Sequence, residues 1–456
     1  MGKISLKADL SHFVILTKRP KVPALHALLL ITAICAPSDS FAQEARYIAS
    51  GVIPANTLDL EGETVGGIGS GITYDAKEDV YLAVSDRGAG DGTIDYMPRF
   101  DTMKVTVSSE VTPTLNAGIL KTTLLRTTSG KPMCGLIPDA RNTATPQMHD
   151  GRHCIDAEAI AIAPDDTLYI ADEYGPYLHQ FKRDGTLIRT IEPPGNYLPR
   201  TAEGKLDFTD NDSLVSGRVP NHGFEGLTLS PDGKLAFLIL QSGLLQDGGK
   251  SARYSRILVI NLATGKPVAE YAYAMADSDK INSLERRIGK FRLKQNDLAV
   301  SEIAMVNEHQ FLVLERDNFG ANGSFKVKRP SQKCVFLIDI KDATNLLSLP
   351  GQPYSQPYGV KKFRELTINE KITPPRKTLL LNFAAPIQGL DRNDLAAKWE
   401  GIALTPPDSE GHQRMLLTCD NDFLSSPLLI AGKSIPFPRA ERSMPTRFLL
   451  FDIRLP

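Results

Sequence analysis

Four glutamates recur along the chain, each opening an apolar run that turns back and ends at a second polar position. The pairs read Glu158-Ala159-Ile160 to Asp172-Glu173, Glu225-Gly226-Leu227 to Gln241, Glu302-Ile303-Ala304 to Glu315-Arg316-Asp317, and Glu400-Gly401-Ile402 to Asp420-Asn421-Asp422. A fifth copy, Ser70-Gly71-Ile72 to Asp86-Arg87, carries serine in the first place. Carboxylates gathered at one point raise one another's pKa unless a cation joins them. A hard cation such as calcium, which takes six to eight oxygens in flexible geometry, suits such a ring better than zinc. Glu158, Glu225, Glu302 and Glu400 are therefore the expected calcium ligands. The competing reading is that each caps backbone N–H groups of the next repeat or faces a water-filled channel.

The second positions, Asp86, Asp172, Glu173, Glu315, Asp317, Asp420 and Asp422, offer further ligands or a general base, or else close Asx turns at strand ends. Of these, Asp86, Asp172 and Asp420 carry the catalytic expectation. Arg87 and Arg316 hold matching places in two repeats, where they would grip a phosphate or carboxylate, or form salt bridges with the adjacent acids. His222, three residues before Glu225, is the imidazole placed for proton transfer. Tyr174, Phe319 and Phe423 follow the second acids and would wall a pocket or pack in the core. A nucleophile elbow, a phosphate loop, a dinucleotide fingerprint and a His-Glu-x-x-His helix are all missing from the sequence.

The elements that must position these residues are hairpins. Alternating runs such as Ala159-Ile160-Ala161-Ile162 lead through Pro164-Asp165-Asp166 into Leu168-Tyr169-Ile170, and Leu227-Thr228-Leu229 leads through Pro231-Asp232-Gly233 into Leu235-Ala236-Phe237-Leu238. Proline sets φ in these turns, and Asp or Gly tolerates the rest. Counting outward places Glu225 opposite Gln241, Glu158 opposite Asp172 or Glu173, and Glu302 opposite Glu315. A second pair of runs follows each hairpin, as at Arg256 to Leu262 and Val335 to Ile340. Four strands per repeat predict an all-β propeller of four-stranded blades. Five blades are readable, and the intervals from Ser70 to Glu158 and from Glu302 to Glu400 leave room for a sixth. The last repeat has three strands, ending at Phe448 to Ile453, so the strand near Tyr47-Ile48-Ala49 is expected to complete it and close the ring. First strands line the central shaft of a propeller, which would bring the glutamates together at one face.

With 42% hydrophobic and 23% charged residues in 456, the chain is long enough for a substantial core and has the composition of a globular protein. Lys3, Lys7, Lys18, Arg19 and Lys21 precede an apolar stretch from Ala24 to Ala36 and a Ser40-Phe41-Ala42 cleavage site, so residues 1–42 read as a secretory signal and 43–456 as the propeller. That apolar stretch is too short to span a bilayer. Removing residues 1–42 takes five basic and two acidic groups from a formal charge of −1 and leaves −4, which points away from nucleic acid. The expected compartment is periplasmic or extracellular, and the expected state a monomer acting on a small molecule. In an oxidising compartment Cys134 and Cys154 would close the polar loop between them as a disulfide, a contribution of about 3 kcal/mol. Cys334 and Cys419 are expected as buried thiols.

The phrases Gly69-Ser70-Gly71-Ile72 with Val84-Ser85-Asp86-Arg87, Asp156-Ala157-Glu158-Ala159-Ile160, Phe224-Glu225-Gly226-Leu227, Leu314-Glu315-Arg316-Asp317 and Trp399-Glu400-Gly401-Ile402-Ala403 resemble the phytase-like esterase family of bacterial secreted β-propellers. The resemblance implies an esterase-like activity and calcium and anion sites on one face of the ring. The expected function is calcium-assisted hydrolysis of a phosphoester or small ester. A ligand- or protein-binding propeller of the cell envelope is the first alternative. A calcium-dependent lactonase, with His222 near the metal, is the second.

Overall fold

The structure is a computed structural model that describes residues 44–140, 145–284, 292–320, 332–350, 372–391, 395–436 and 443–455. The expected signal segment lies outside the described residues, as does most of the spacer from Pro350 to Pro375. With 47% strand and 6% helix the fold is all-β. Among the described residues no helix is long and apolar enough to cross a membrane.

Five four-stranded antiparallel sheets form a five-bladed propeller. Blade 1 runs outward through Gly71–Asp75, Val80–Val84, Arg99–Val107 and Leu115–Leu124. Blade 2 uses Ala157–Ile162, Leu168–Asp172, Leu178–Phe181 and Leu187–Ile191. Blade 3 uses Phe224–Leu229, Leu235–Leu240, Tyr254–Asn261 and Lys266–Ala274, and blade 4 uses Leu298–Met305, Gln310–Asp317, Lys333–Asp339 and Arg376–Asn382. Blade 5 takes Trp399–Leu404, His412–Cys419 and Thr446–Arg454 from the end of the chain, and its outer strand is Glu44–Ile53. The first and last strands pair antiparallel from Glu44↔Arg454 to Ile53↔Thr446, with one bulge between Tyr47 and Ala49. This is the closure expected from the three-stranded last repeat. The room left for a sixth blade holds no further four-stranded sheet among the described residues. Between Ser70 and Glu158 it is taken by the outer strands of blade 1 and a short ribbon, Met148–His149 with Arg152–His153.

The second strands read as unbroken apolar runs because both their faces are covered. In blade 2, Leu168 and Ile170 pack with Leu82, Val84 and Phe100 of blade 1, whereas Tyr169 and Ala171 pack with Leu227, Ala236 and Leu238 of blade 3. The same division recurs between blades 3 and 4 through Phe237, Ile239, Phe311 and Val313, and between blades 4 and 5 through Leu312, Leu314, Met415 and Leu417. Ile72, Ala83, Leu416 and Leu450 close the circle between blades 5 and 1. Each Leu, Ile, Val, Phe or Met among them contributes about 1.5–3 kcal/mol on burial, and each alanine less. The core is thus five wedges between blades, and the inner strands are held against the shaft from both sides.

Candidate functional site

On three inner strands an extra residue interrupts the pairing at the same end of the shaft. It is Glu158, between Ala157↔Asp172 and Ala159↔Ala171; Glu225, between Phe224↔Leu240 and Gly226↔Ile239; and Glu400, between Trp399↔Cys419 and Gly401↔Thr418. A bulge bends the strand and re-aims its extra side chain. The next residue is small because inner strands of neighbouring blades touch there. A Cβ on Gly226 would meet the Ile303 nitrogen at 2.7 Å and Glu302 Cα at 2.8 Å, and one on Gly71 would meet Ala159 Cα at 2.6 Å. The recurring Glu-Gly phrase therefore has two causes, a bulge that aims the acid and a close approach that admits only a small residue.

Blade 4 departs from the expectation. Its bulge falls between Val300↔Glu315 and Glu302↔Leu314, so the extra residue is Ser301, and Glu302 lies opposite Leu314 rather than Glu315. The Glu302 carboxylate accepts from the backbone nitrogens of Leu227 and Ile303, each at 2.9 Å, and so ties blade 3 to blade 4. It does not join the other glutamates. The gap it leaves is filled by Arg316, whose Nη2 lies 2.5 Å from Glu400 Oε1 and 4.0 Å from Glu225 Oε1. Burial opposes the charge on Arg316, but Glu400 and Glu225 hold its pKa above the usual value. Two of the four expected calcium ligands thus already share a built-in cation.

The carboxylates with least compensation belong to blade 2. Ligand oxygens of Asp156, Glu158 and Glu173 lie within 4.8 Å of one another, all buried. Glu158 accepts no hydrogen bond among the described residues, and Asp156 Oδ2 and Glu225 Oε2 are buried without one. Burial, then the charges of Asp156 and Glu225, push the Glu158 carboxyl well above its ordinary range. Burial and Asp156 push Glu173 up to about 8, and burial, offset by Arg87, takes Asp156 to about 6. Burial and Glu173 raise Glu225. Oxygens on opposite sides of a calcium ion, at 2.3–2.6 Å each, stand about 5 Å apart. The spacing, the all-oxygen donor set and the orphaned buried atoms fit a calcium ion.

The remaining expected site residues divide between the shaft mouth and its supports. Arg87 is buried; its Nη1 lies 2.6 Å from Asp210 Oδ2 and 3.4 Å from Asp156 Oδ2, and its backbone nitrogen donates to Asp156 Oδ1 at 3.0 Å. Asp86 accepts from the Gly88 nitrogen at 2.9 Å, and burial with the charges of Asp420 and Asp156 raises its pKa well above the usual range. Asp172, by contrast, is a structural anchor. Its Oδ1 accepts from the nitrogens of Asp156 and Tyr174 at 3.0 Å each, and its Oδ2 takes Gln147 and lies 3.2 Å from His179 Nε2. Asp420 is pinned likewise, taking the Asp422 nitrogen at 2.7 Å and Lys398 Nζ at 3.2 Å. Glu315 accepts from the Tyr273 hydroxyl, the Ala276 nitrogen and Lys377, and Asp317 from Lys333, so both belong to the blade 4 scaffold. Tyr174, Phe319 and Phe423 are core residues, each at most 1% exposed.

His222 stands at the mouth with its Nδ1 buried and unpartnered. Burial, then Lys250, Arg316, Arg218 and Lys398, keep it neutral. A cavity of about 880 Å³ is lined by Arg87 and Lys250, by the acids Asp91, Asp210 and Asp212, and by Ile94, Ile137 and Pro220 among others. Sequence reading missed Asp156, Asp210, Arg218, Lys250 and Lys398. Asp156 stood two residues before Glu158 in a recurring phrase, whereas Asp210 and Arg218 come from the long spacer between Pro193 and Pro220, which has no periodicity to read.

Cys134 and Cys154 lie side by side, buried and unbonded, with their sulfurs 3.2 Å apart, against about 2.05 Å in a disulfide. Cys334 and Cys419 are buried thiols, as expected.

An uncharacterized secreted protein of Arthroderma benhamiae is 28% identical over 454 residues, covering 83% of this chain and 86% of its own. Among solved structures, a protein from Lactobacillus plantarum overlaps 89% of this chain and 99% of its own at 14% identity and a TM-score of 0.29. A luciferin-regenerating enzyme overlaps 91% of this chain and 95% of its own, at 7% identity and a TM-score of 0.33. The family described as phytase-like, esterase-like activity of phytase, matches residues 63–423, most of the propeller from blade 1 to the end of the second strand of blade 5. The chain belongs to the phytase-like family.

Proposed function

We propose that this protein is a secreted, calcium-assisted hydrolase of small esters, phosphoesters included, working where the cavity meets the acids of blade 2. The observation that carries the reading is the group of three buried carboxylates, Asp156, Glu158 and Glu173, with oxygens within 4.8 Å. These three, with Glu225 beside them, would hold the ion. A bound calcium ion polarises an ester oxygen and lowers the pKa of a water.

The residues around the ion divide the remaining work. Arg87 joins the cavity to the cluster, since it lines the one and touches Asp156 of the other. Its two carboxylate partners hold the guanidinium, so it fixes Asp156 in place beside the ion rather than gripping the substrate itself. Burial and the charges of Asp420 and Asp156 raise the Asp86 carboxyl above its ordinary range, and Asp86 is the residue assigned here to protonate the leaving oxygen. Ile94, Ile137 and Pro220 give the cavity an apolar surface on which the hydrocarbon part of an ester would rest. The signal-like segment at residues 1–42 and the secreted relative support export.

The test is release of nitrophenolate from nitrophenyl phosphate, a nitrophenyl phosphodiester and short nitrophenyl acyl esters, with calcium and with chelator. Calcium-dependent turnover of one class is the expected result. No turnover of any class, with calcium bound, would overturn the hydrolase and leave a binding propeller.

A further inference from the structure

Two of the three clustered acids are held by arms of the chain that meet at a pair of thiols. Cys134 and Cys154, 20 positions apart in the chain, face each other with sulfurs 3.2 Å apart, both fully buried. They are joined by an isolated bridge outside the blades, in which the Cys134 nitrogen donates to His153 O and the Ile155 nitrogen to Cys134 O, each at 3.0 Å. Asp156 follows Cys154 by two residues and stands before the inner strand that begins at Ala157. From Cys134 the chain passes to Gly135, whose carbonyl accepts the Tyr174 hydroxyl at 2.9 Å, and Tyr174 is next to Glu173. Gly135 also lies against Arg87: a Cβ on it would meet the Arg87 carbonyl oxygen at 1.9 Å, and the Arg87 nitrogen donates to Asp156 Oδ1 at 3.0 Å. The Cys154 arm thus carries Asp156, while the Cys134 arm braces Glu173 and Arg87. The apolar cluster around the sulfurs is small, Tyr174 with the partly buried Leu136 and Ile137. Such a patch opens more readily than the wedges between blades. Without an ion, the like charges of Asp156, Glu158 and Glu173 push on whichever arm yields first.

We infer that Cys134 and Cys154 close as a disulfide that clamps the calcium site, so that the oxidised protein binds the ion more tightly than the dithiol. The inference rests on the calcium reading above and names a control of that same site. In the bond-forming step the two thiols pass two protons and two electrons to a disulfide oxidant such as oxidised glutathione. One S–S bond forms in the protein as the oxidant's S–S bond breaks to two thiols. The oxidant reaches these buried sulfurs while the chain folds or when the arms part. The closed arms keep Asp156 and Glu173 at ion-binding separation when the ion is absent, which raises the share of molecules ready to bind. Binding and closure are linked, so the factor that the disulfide adds to calcium affinity is the factor that calcium adds to the disulfide's resistance to reduction.

The experiment refolds the purified full chain in a glutathione redox buffer and separately in dithiothreitol, identifies each state by alkylation and mass, and titrates both forms with calcium by calorimetry. A dissociation constant at least about fivefold lower in the disulfide form is expected, the low end of the usual coupling between linked sites. The reciprocal measurement equilibrates the protein across a series of glutathione ratios, with calcium and with chelator. Calcium should lower the reduction potential of the pair by about 20 mV or more, which is that same factor for a two-electron couple. The double variant Cys134→Ala with Cys154→Ala should bind calcium like the dithiol in both buffers. Should that variant fail to fold, the two forms of the wild-type chain still decide. Equal calcium affinity in the two forms, or failure of the pair to oxidise, overturns the inference and leaves the calcium site standing. Absence of calcium binding in both forms overturns the calcium reading itself, and the clamp with it.

Discussion

Glu302 and Glu158 stood in equivalent places in the sequence, and the structure assigns them opposite energetics. Glu302 accepts two buried backbone N–H groups across the junction of blades 3 and 4. Glu302→Ala would orphan both donors, at about 1–3 kcal/mol each, and leave a small void, so a loss of about 3–5 kcal/mol is expected. At about 2.1 cal/mol/K per residue over roughly 410 residues, 1 kcal/mol moves Tm by about 1 °C, so the midpoint should fall by about 3–6 °C. Glu302→Gln keeps an acceptor in place and should lose less than half of that. Glu158 has the reverse profile, a buried carboxyl beside Asp156, Glu173 and Glu225 with no hydrogen bond of its own. Glu158→Gln should raise the midpoint in chelator, because it removes a buried charge and its repulsions, and should abolish the rise produced by calcium. The assay is calorimetry at a fixed scan rate, with calcium and with chelator, backed by direct calorimetric titration of calcium. A Glu302→Ala variant that keeps its midpoint in chelator but loses the calcium response would refute the reasoning and restore a four-glutamate ring.

Three further outcomes are expected. Glu173 and Asp156 have folded pKa values of about 8 and about 6, above their ordinary range, so the stability they contribute is present at acid pH and lost as pH rises through those values. In chelator Tm should therefore fall between pH 5 and 8 less steeply in Glu173→Gln than in the wild type, and calcium should bind more tightly as pH rises; parallel slopes would contradict this. Arg256→Met should cost about 3–5 kcal/mol in chemical denaturation, because Arg256 holds Asp247 at 2.8 Å and Glu270 at 2.7 Å in a fully buried trio, and a variant of near wild-type stability would show that the trio is dispensable. Protein purified from an oxidising compartment and denatured in alkylating agent should show Cys334 and Cys419 alkylated and Cys134 joined to Cys154; alkylation of all four would show that the adjacent thiols stay reduced.

The five blades, the ring closure by the strand at Tyr47 and the shared end of the acidic positions were all legible in the chain, because hairpin periodicity and turn residues are local properties. The same locality explains what was misread. Glu302 and Glu225 look alike in sequence, but the bulge in blade 4 lands one residue earlier, on Ser301, and one step of register turns a side chain to the other face. Whether Arg87 and Arg316 were free to hold a ligand depended on carboxylates distant in the chain, Asp210 for one and Glu400 for the other. Asp210, Arg218 and Lys250 reach the mouth from loops with no periodicity, so their place at the site was decided only when the blades closed around the shaft. Sequence by itself determined the repeat, the fold and the acids that open each blade. Tertiary structure alone decided which acids meet one another and which meet a cation, because charge compensation depends on distances between blades that no single hairpin encodes.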